Sequence, residues 1–174
     1  MTDTRAPEMA PTSPLEWERA RPGFDAWRTF LGAHAAVLRR LEAELEAEGL
    51  ISLADYDVLV NLATAPAGKL RMSELADQVL LSRSGMTRRI DRLETAGLVR
   101  RDECAADRRG SYATITPDGL ERVRSAGPTH LRGIEEHFIA KLSPAELEAI
   151  RAALSKIITP NPSGGGPSGD ASNC

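Results

Sequence analysis

The sequence predicts a mainly α-helical fold with a small β component, an α+β arrangement, on the basis of three observations. Apolar residues recur every three or four positions over residues 24–45, which is the period of one helix face. Thr116-Pro117 and Ser143-Pro144 each place a proline directly after a capping residue, as at a helix start. The middle of the chain carries two β-prone runs, residues 98–103 and 111–116. We therefore expect helices at both ends and a small sheet between them.

Length and composition limit the class of protein. The chain has 174 residues, enough for one domain with a sizeable core or for a small domain with added helices. Its formal net charge is -3, so nucleic-acid binding requires a local basic patch. Cys104 and Cys174 are too few for a disulfide framework or a zinc site, which favours the cytosol. No apolar run approaches the ~18 residues of a membrane span, so we expect no membrane partner.

Composition divides the chain into five segments. Both ends are rich in small and polar residues and bury too little apolar surface to offset the entropy of ordering. The predicted segments are a disordered tail at 1–14, an N-terminal helical region at 15–50, a central domain at 51–116, C-terminal helices at 117–158 and a disordered tail at 159–174. The chemistry is therefore expected in the central domain.

Capping and helix-breaking residues mark the helix boundaries. Gly49 ends the first long helix, and Ser52 with Asp55 three residues later predicts a capping box at the start of the next. The helix that follows residue 116 contains Gly127-Pro128, which predicts a kink or a break partway along it.

Two amphipathic helices joined by a tight turn are predicted at residues 72–79 and 83–96. Met86, Ile90 and Leu93 form the apolar stripe of the second helix. Polar and basic side chains precede it or lie on its opposite face, namely the N-cap Ser82 and then Arg83, Ser84, Thr87, Arg88 and Arg92. This arrangement is typical of a helix-turn-helix, whose second helix offers its early residues to base edges in the major groove of DNA.

A charged stretch connects the two β-prone runs that follow this pair of helices. Residues 104–110 contain Asp107, Arg108, Arg109 and Gly110 and are predicted to form an exposed loop at the tip of a hairpin. Residues 69–71 provide a short third strand before the first helix of the pair. A helix-turn-helix followed by two strands and a charged loop is a winged helix, with residues 104–110 as the tip of its wing.

Charge is concentrated in this part of the chain. Residues 82–110 contain eight arginines and five acidic residues, whereas the chain as a whole is acidic. A basic module inside an acidic protein is typical of phosphate contact. Arg89, Arg100 and Arg101 also fit ion pairs with nearby acids on a solvated face. Arg108 and Arg109 fit that interpretation less well, because a narrow minor groove attracts arginines from a loop tip.

These motifs together resemble the core of the MarR family of bacterial transcription regulators. The similar stretch is LRMSELADQVLLSRSGMTRRIDRLETAGLVRRDECAADRRGSYATITPDG, with SELA, DRLETAGLVRR, ADRRG and ATITPDG as its motifs. The resemblance spans about residues 24–158. It implies a homodimer in which regions 15–50 and 117–158 form an interlocked dimerisation bundle, with the winged helix-turn-helix at 51–116.

The resemblance also implies which residues contact double-stranded DNA. The recognition helix contributes Ser82, Arg83, Ser84, Thr87, Arg88 and Arg92, and the wing contributes Asp107, Arg108, Arg109 and Gly110. Within the wing, Asp107 braces the loop by pairing with an arginine, and Arg109 or its neighbour Arg108 enters the minor groove.

Control by a small aromatic compound or by cysteine oxidation is a further implication of the resemblance. An effector cleft between the dimerisation helices and the winged helix is expected to use Trp27, His34, Tyr56, Asp57 and His130, although each also fits a core or interface role. Redox sensing through Cys104 is the weaker alternative. The acids near Cys104 raise a thiol pKa and the wing arginines oppose them.

The sequence thus predicts a dimeric, sequence-specific DNA-binding regulator, a repressor released by a small aromatic effector at a pseudo-palindromic operator. We expect it on the bacterial nucleoid in the cytoplasm. The alternative is a winged helix that binds protein or RNA without contacting DNA. We expect no enzyme, because the serines and histidines lack a nucleophile spacing. Neither a glycine-rich phosphate loop nor metal-ligand spacing occurs, so no cofactor or metal is expected.

Overall fold

The computed structural model describes residues 21–79, 83–104 and 107–158 and has the predicted winged-helix fold. Six α-helices and three strands occur in these residues. They are α1 (Phe24–Ala47), α2 (Leu53–Thr64), β1 (Lys69–Arg71), α3 (Met72–Gln78), α4 (Arg83–Thr95), β2 (Val99–Cys104), β3 (Asp107–Ile115), α5 (Pro117–His137) and α6 (Pro144–Ser155). Short 3-10 turns lie at Pro66–Gly68 and Ile139–Lys141.

The chain forms two compact units, Met1–Leu38 and Arg39–Cys174, whose boundary falls within α1. The second unit contains the winged helix and every fully buried side chain of the described residues. In the first unit the described part of α1 exposes large apolar side chains, among them Trp27, Phe30 and Leu31. Among the helices described, none has the combination of length and apolarity that crossing a bilayer requires.

The sheet is antiparallel with the strand order β1-β3-β2. Lys69 pairs with Thr114 and Arg71 with Tyr112, so residues 69–71 form the predicted third strand. On the other side of β3, Val99 pairs with Ile115. The small sheet therefore closes one side of the helix-turn-helix.

The core lies between α2, α3, α4 and the sheet. Its buried side chains include Leu59, Leu62, Leu75, Met86 and Ile90, each with no exposed surface. Such residues contribute about 1.5–3 kcal/mol each through burial. The predicted inward stripe of α4 is confirmed, because Leu93 is also buried.

Side-chain caps fix the starts of α2, α5 and α6. Ser52 Oγ accepts the amide of Asp55 at 3.1 Å, and Thr116 Oγ1 accepts that of Gly119 at 3.1 Å. Ser143 forms the full capping box with Glu146. At α2 the box is only half formed, because the Asp55 carboxylate binds another helix instead.

Of the kink or break predicted at Gly127-Pro128, the break does not occur, since α5 runs without interruption from Pro117 to His137; the kink stays a prediction. Proline clashes with the Cβ of the residue before it, and Gly127 has no Cβ. The buried residues Ala126 and Thr129 flank the pair and hold this turn of the helix against the core. Tertiary packing therefore outweighs the loss of one backbone hydrogen bond at Pro128.

The predicted loop at the wing tip is shorter than residues 104–110. Cys104 pairs with Asp107, and residues 107–110 belong to β3. A bulge or irregularity follows, because Glu103 pairs with Ser111. Charged residues do not by themselves prevent antiparallel pairing, because such strands can carry polar residues on a face that meets water.

Candidate nucleic-acid interface

Helix α4 separates an apolar face from a polar one. Met86 and Ile90 are fully buried, whereas Ser84, Thr87 and Arg88 are exposed on the other side. The buried stripe fixes the rotation of the helix about its axis, since turning it would expose this stripe to water. The polar face is therefore held outward by the core.

The predicted DNA-contacting residues fall into described and undescribed sets. Ser82 lies outside the described residues. Arg83 begins α4, and residues 107–110 form the start of β3, but their side chains also lie outside the described part. The roles predicted for Asp107, Arg108, Arg109 and Gly110 therefore stay predictions.

The arginines of α4 differ in their partners. Arg89 Nη1 donates to Asp55 Oδ1 at 2.7 Å, and the two side chains are only 20% and 24% exposed. Arg92 Nη2 lies 3.8 Å from the same oxygen but is 67% exposed. No ion pair joins Arg88 to an acid in the part of the chain that the structure describes, and its side chain is exposed. Arg88 is therefore the described α4 arginine most available to a ligand.

Asp55 is a residue that the sequence reasoning missed in this role. Its position predicted a cap for α2, but its carboxylate joins α2 to α4 through Arg89 and Arg92. The spacing of these two arginines, i and i+3, places them on one side of a helix. Nothing in the sequence identifies their shared acid, because it lies more than thirty residues away.

The two arginines at the start of the wing are paired, as the solvated ion-pair interpretation predicts. Arg100 Nε lies 3.1 Å from Asp102 Oδ1 on the same strand. Thr114 Oγ1 donates to the other oxygen of Asp102 at 2.7 Å, which links β2 to β3. Arg101 instead turns toward α4 and contacts Asp91 and Glu94.

Tyr56, Asp57 and His130 bring α2 and α5 together in the second unit. The rings of Tyr56 and His130 lie 4.5 Å apart between centroids. Burial lowers the pKa of His130, which Asp57 opposes, and burial raises the pKa of Asp57 and of Tyr56. His130 Nδ1 is buried without a hydrogen-bond partner among the described residues. The trio therefore combines two neighbouring rings with a buried nitrogen that lacks a hydrogen-bond partner among the described residues, and its part in an effector site stays a prediction.

Trp27 and His34 belong to the first unit. Trp27 is 53% exposed and its ring lies 6.0 Å from that of Phe30, which in turn stacks on His34 at 6.2 Å. Their predicted part in an effector site stays a prediction.

One cluster of potential metal ligands occurs in the described residues, formed by Glu44, Glu136 and His137, with ligand atoms within 4.8 Å of one another. His137 Nε2 contacts the Glu44 carboxylate, and Arg40 Nη1 lies 3.2 Å from His137 Nδ1. Because Arg40 can only donate, Nδ1 accepts and Nε2–H donates to Glu44. Both ring nitrogens are thus satisfied by the protein, and we assign the cluster a role in joining α1 to α5.

Comparisons with known proteins agree with this architecture. The MarR family profile matches residues 51–110. The regulator PecS of Dickeya dadantii is 24% identical over 147 residues, which covers 82% of this chain and 88% of PecS.

Two solved structures from Streptomyces coelicolor are also similar. AbsC, a MarR family transcriptional regulator, is 36% identical with a TM-score of 0.72, over 86% of this chain and 95% of AbsC. A second MarR family transcriptional regulator, solved in complex with DNA, is 30% identical with a TM-score of 0.69, over 79% of this chain and 88% of that protein. With its winged helix and these relatives, the chain belongs to the MarR family.

Proposed function

We propose that the protein is a dimeric, sequence-specific DNA-binding transcriptional regulator, and that it represses transcription until a small aromatic effector releases it. The observation that carries the proposal is the exposed face of α4, where Ser84, Thr87 and Arg88 lie opposite a fully buried stripe. Side chains of these types read base edges when a helix enters the major groove. The similar regulator solved with DNA supports this function.

In this proposal the two parts of the winged helix act differently on DNA. Arg83, Ser84, Thr87 and Arg88 face the major groove, with Ser82 as the cap and Arg92 at the edge. Arg109 or Arg108 enters the minor groove, where the electrostatic attraction is sequence-tolerant. Asp107 and Gly110 shape the wing.

Dimerisation is supported by apolar side chains that each unit exposes. Trp27, Leu31 and Leu38 are exposed in the first unit, and Ile157 and Ile158 are exposed in the second. Burying such surface against a second copy is favourable. A two-fold dimer then binds a pseudo-palindromic operator with half-sites about 10 base pairs apart.

The effector proposal rests on Tyr56, Asp57 and His130 of the second unit, and Trp27 and His34 stay separately proposed effector contacts. A small aromatic compound would stack on the rings and satisfy His130 Nδ1. The protein acts by binding and not by catalysis, on the nucleoid in the bacterial cytoplasm.

The test begins with the DNA fragments that the purified protein retains from its host genome. The enriched duplex and a scrambled copy are then titrated by fluorescence anisotropy at several salt concentrations. Arg88→Ala should lower the discrimination between them by about 1–3 kcal/mol, as for one bidentate base contact. Arg109→Ala should lower the affinity for both duplexes by the same factor. It should also make the dependence of affinity on salt concentration shallower. Asp107→Ala should resemble a milder Arg109→Ala.

Arg124→Ala is the matched control, because it removes the same charge from an exposed position on α5 where Arg124 pairs with Glu121. It should leave discrimination unchanged. Wild-type affinity and discrimination in every α4 and wing variant would count against DNA reading and favour a protein-interaction module.

A further inference from the structure

Arg101 of β2 reaches across to α4 with both its side chain and its backbone. Its Nη2 contacts Asp91 Oδ1 and donates to the Thr87 carbonyl at 3.3 Å. Its Nε lies 3.7 Å from Glu94 Oε2, and its amide donates to Glu94 Oε1 at 3.2 Å. Arg101 therefore contacts three residues of α4.

Those three positions follow one line along α4. Residues 87, 91 and 94 are spaced by four and three, so they lie on one side of the helix over two turns. Thr87 belongs to the exposed face through which we propose that α4 contacts DNA. The other end of the connection is the strand that leads into the wing.

The neighbouring arginine shows that charge alone does not explain this geometry. Arg100 is 66% exposed and pairs with Asp102 on its own strand. Arg101 is 31% exposed, and its Nε is buried. The planar guanidinium presents donors in several fixed directions, which the single ammonium of a lysine does not.

We propose that Arg101 is a positioning residue that fixes the angle between α4 and the wing hairpin. Both elements must meet the same DNA duplex at once, so an error in their angle costs one contact or the other. In this proposal Arg101 acts through its contacts with α4 and not through a base contact. The inference rests on the proposed DNA-binding function.

The experiment compares binding to the enriched duplex and to its scrambled copy in three variants. The ratio of the two affinities cancels the uniform effect of losing one positive charge. Arg101→Ala should lower this ratio about ten-fold, close to the loss of one base contact. Arg101→Lys should fall between Arg101→Ala and wild type, and the matched control Arg100→Ala should stay within about two-fold of wild type.

A second variant keeps the test valid if Arg101→Ala does not fold, which thermal melting will reveal. Asp91 is 53% exposed, so Asp91→Asn is expected to fold. It adds net positive charge and should strengthen scrambled binding, yet it should lower the ratio. In the double variant that combines Arg101→Ala with Asp91→Asn, the ratio should match that of Arg101→Ala within about two-fold. Both changes remove the same contact between β2 and α4, so their effects should not add.

The outcomes separate this inference from the proposed function. A wild-type protein that binds both duplexes equally overturns the DNA-reading function itself. A wild-type preference that Arg101→Ala and Asp91→Asn both retain, in folded protein, overturns the positioning role alone. Equal losses of the ratio in Arg100→Ala and Arg101→Ala also overturn it, since the contacts with α4 that Arg101 makes and Arg100 does not would then not account for the loss.

Discussion

At the scale of the residue, the groups that an arginine contacts determine whether it stabilises the fold or remains available to bind a partner. Arg89 and Arg101 are partly buried and bind acids on other elements, so they hold the fold together. Arg88 is exposed on the same helix as Arg89. Of these two adjacent arginines, Arg89 makes a structural contact and Arg88 is available to a partner, because one side of α4 meets α2 and another meets solvent.

Asp55→Asn tests the structural contact. The substitution should lower the free energy of unfolding by about 2 kcal/mol, because it leaves the half-buried Arg89 without its charged acceptor. Urea unfolding measures the change. Arg92→Ala is the control, since its exposed pair at 3.8 Å should contribute little. Equal losses in the two variants would contradict the assignment.

His130 should make stability depend on pH. Burial lowers its pKa in the folded state below the ordinary value of 6.5, so its contribution is present above pH 6.5 and is lost as the pH falls through the folded value. Urea unfolding of wild type between pH 8 and pH 5 should therefore show a fall on the acid side. His130→Gln should reduce that fall.

Asp57→Asn is expected to act in the opposite direction. Burial raises the pKa of Asp57, so its contribution is present below 3.8 and is lost as the pH rises through the folded value. Protonation of Asp57 thus offsets part of the acid-side loss, and its removal should make the loss larger. Identical pH slopes in both variants and wild type would exclude this pair as the source.

At the scale of the element, α5 depends on glycine where it meets other parts of the second unit. A Cβ at Gly119 would overlap the Leu98 carbonyl oxygen and lie 2.8 Å from Ile115 Cγ1. Thr116 reinforces this junction, since its Oγ1 donates to the Gly97 carbonyl at 2.7 Å. The start of α5 is thereby held against the base of the wing.

Gly119→Ala should consequently destabilise the protein, although alanine is the better helix former. We expect a loss of about 2–3 kcal/mol from overpacking, because the clash is with backbone. The measurement is chemical unfolding alongside Arg122→Ala, an exposed position on the same helix that should change stability by less than about 0.5 kcal/mol. A more stable Gly119→Ala protein would show that the junction can relax.

At the scale of the whole molecule, apolar surface is distributed unevenly between a closed core and exposed helices. The winged helix has a closed core, whereas α6 has no buried residue among those described. The N-terminal half of α1 likewise exposes its apolar stripe. Stability should then depend on protein concentration if a second copy covers this surface.

Leu38→Asp tests this at the proposed dimer seam. Leu38 is exposed within one chain, so the change should not disturb that chain's core. In a dimer it would bury an unpaired charge and dissociate or unfold the protein. Light scattering at micromolar concentration should give a dimer for wild type and a smaller species for the variant. A wild-type monomer would refute the proposed assembly.

The sequence by itself determined the order and type of the elements. Local signals set these features, because capping by Thr116 and Ser143 and the apolar period of α4 act within a few residues. The MarR-like motifs added the winged helix around them. The position of the exposed face of α4 also followed from the spacing of its apolar residues, because the polar face lies opposite the buried apolar stripe.

Only the tertiary structure decided which residues meet across the chain. The choice of Arg89 as the partner of Asp55, and of α4 as the partner of Arg101, depends on contacts between segments that no local pattern encodes. The continuity of α5 through Pro128 was likewise decided by packing at Ala126 and Thr129. The unfavourable helix propensity of a residue such as Pro128 costs a few kcal/mol, and the free energy gained by burying the surrounding helix is larger.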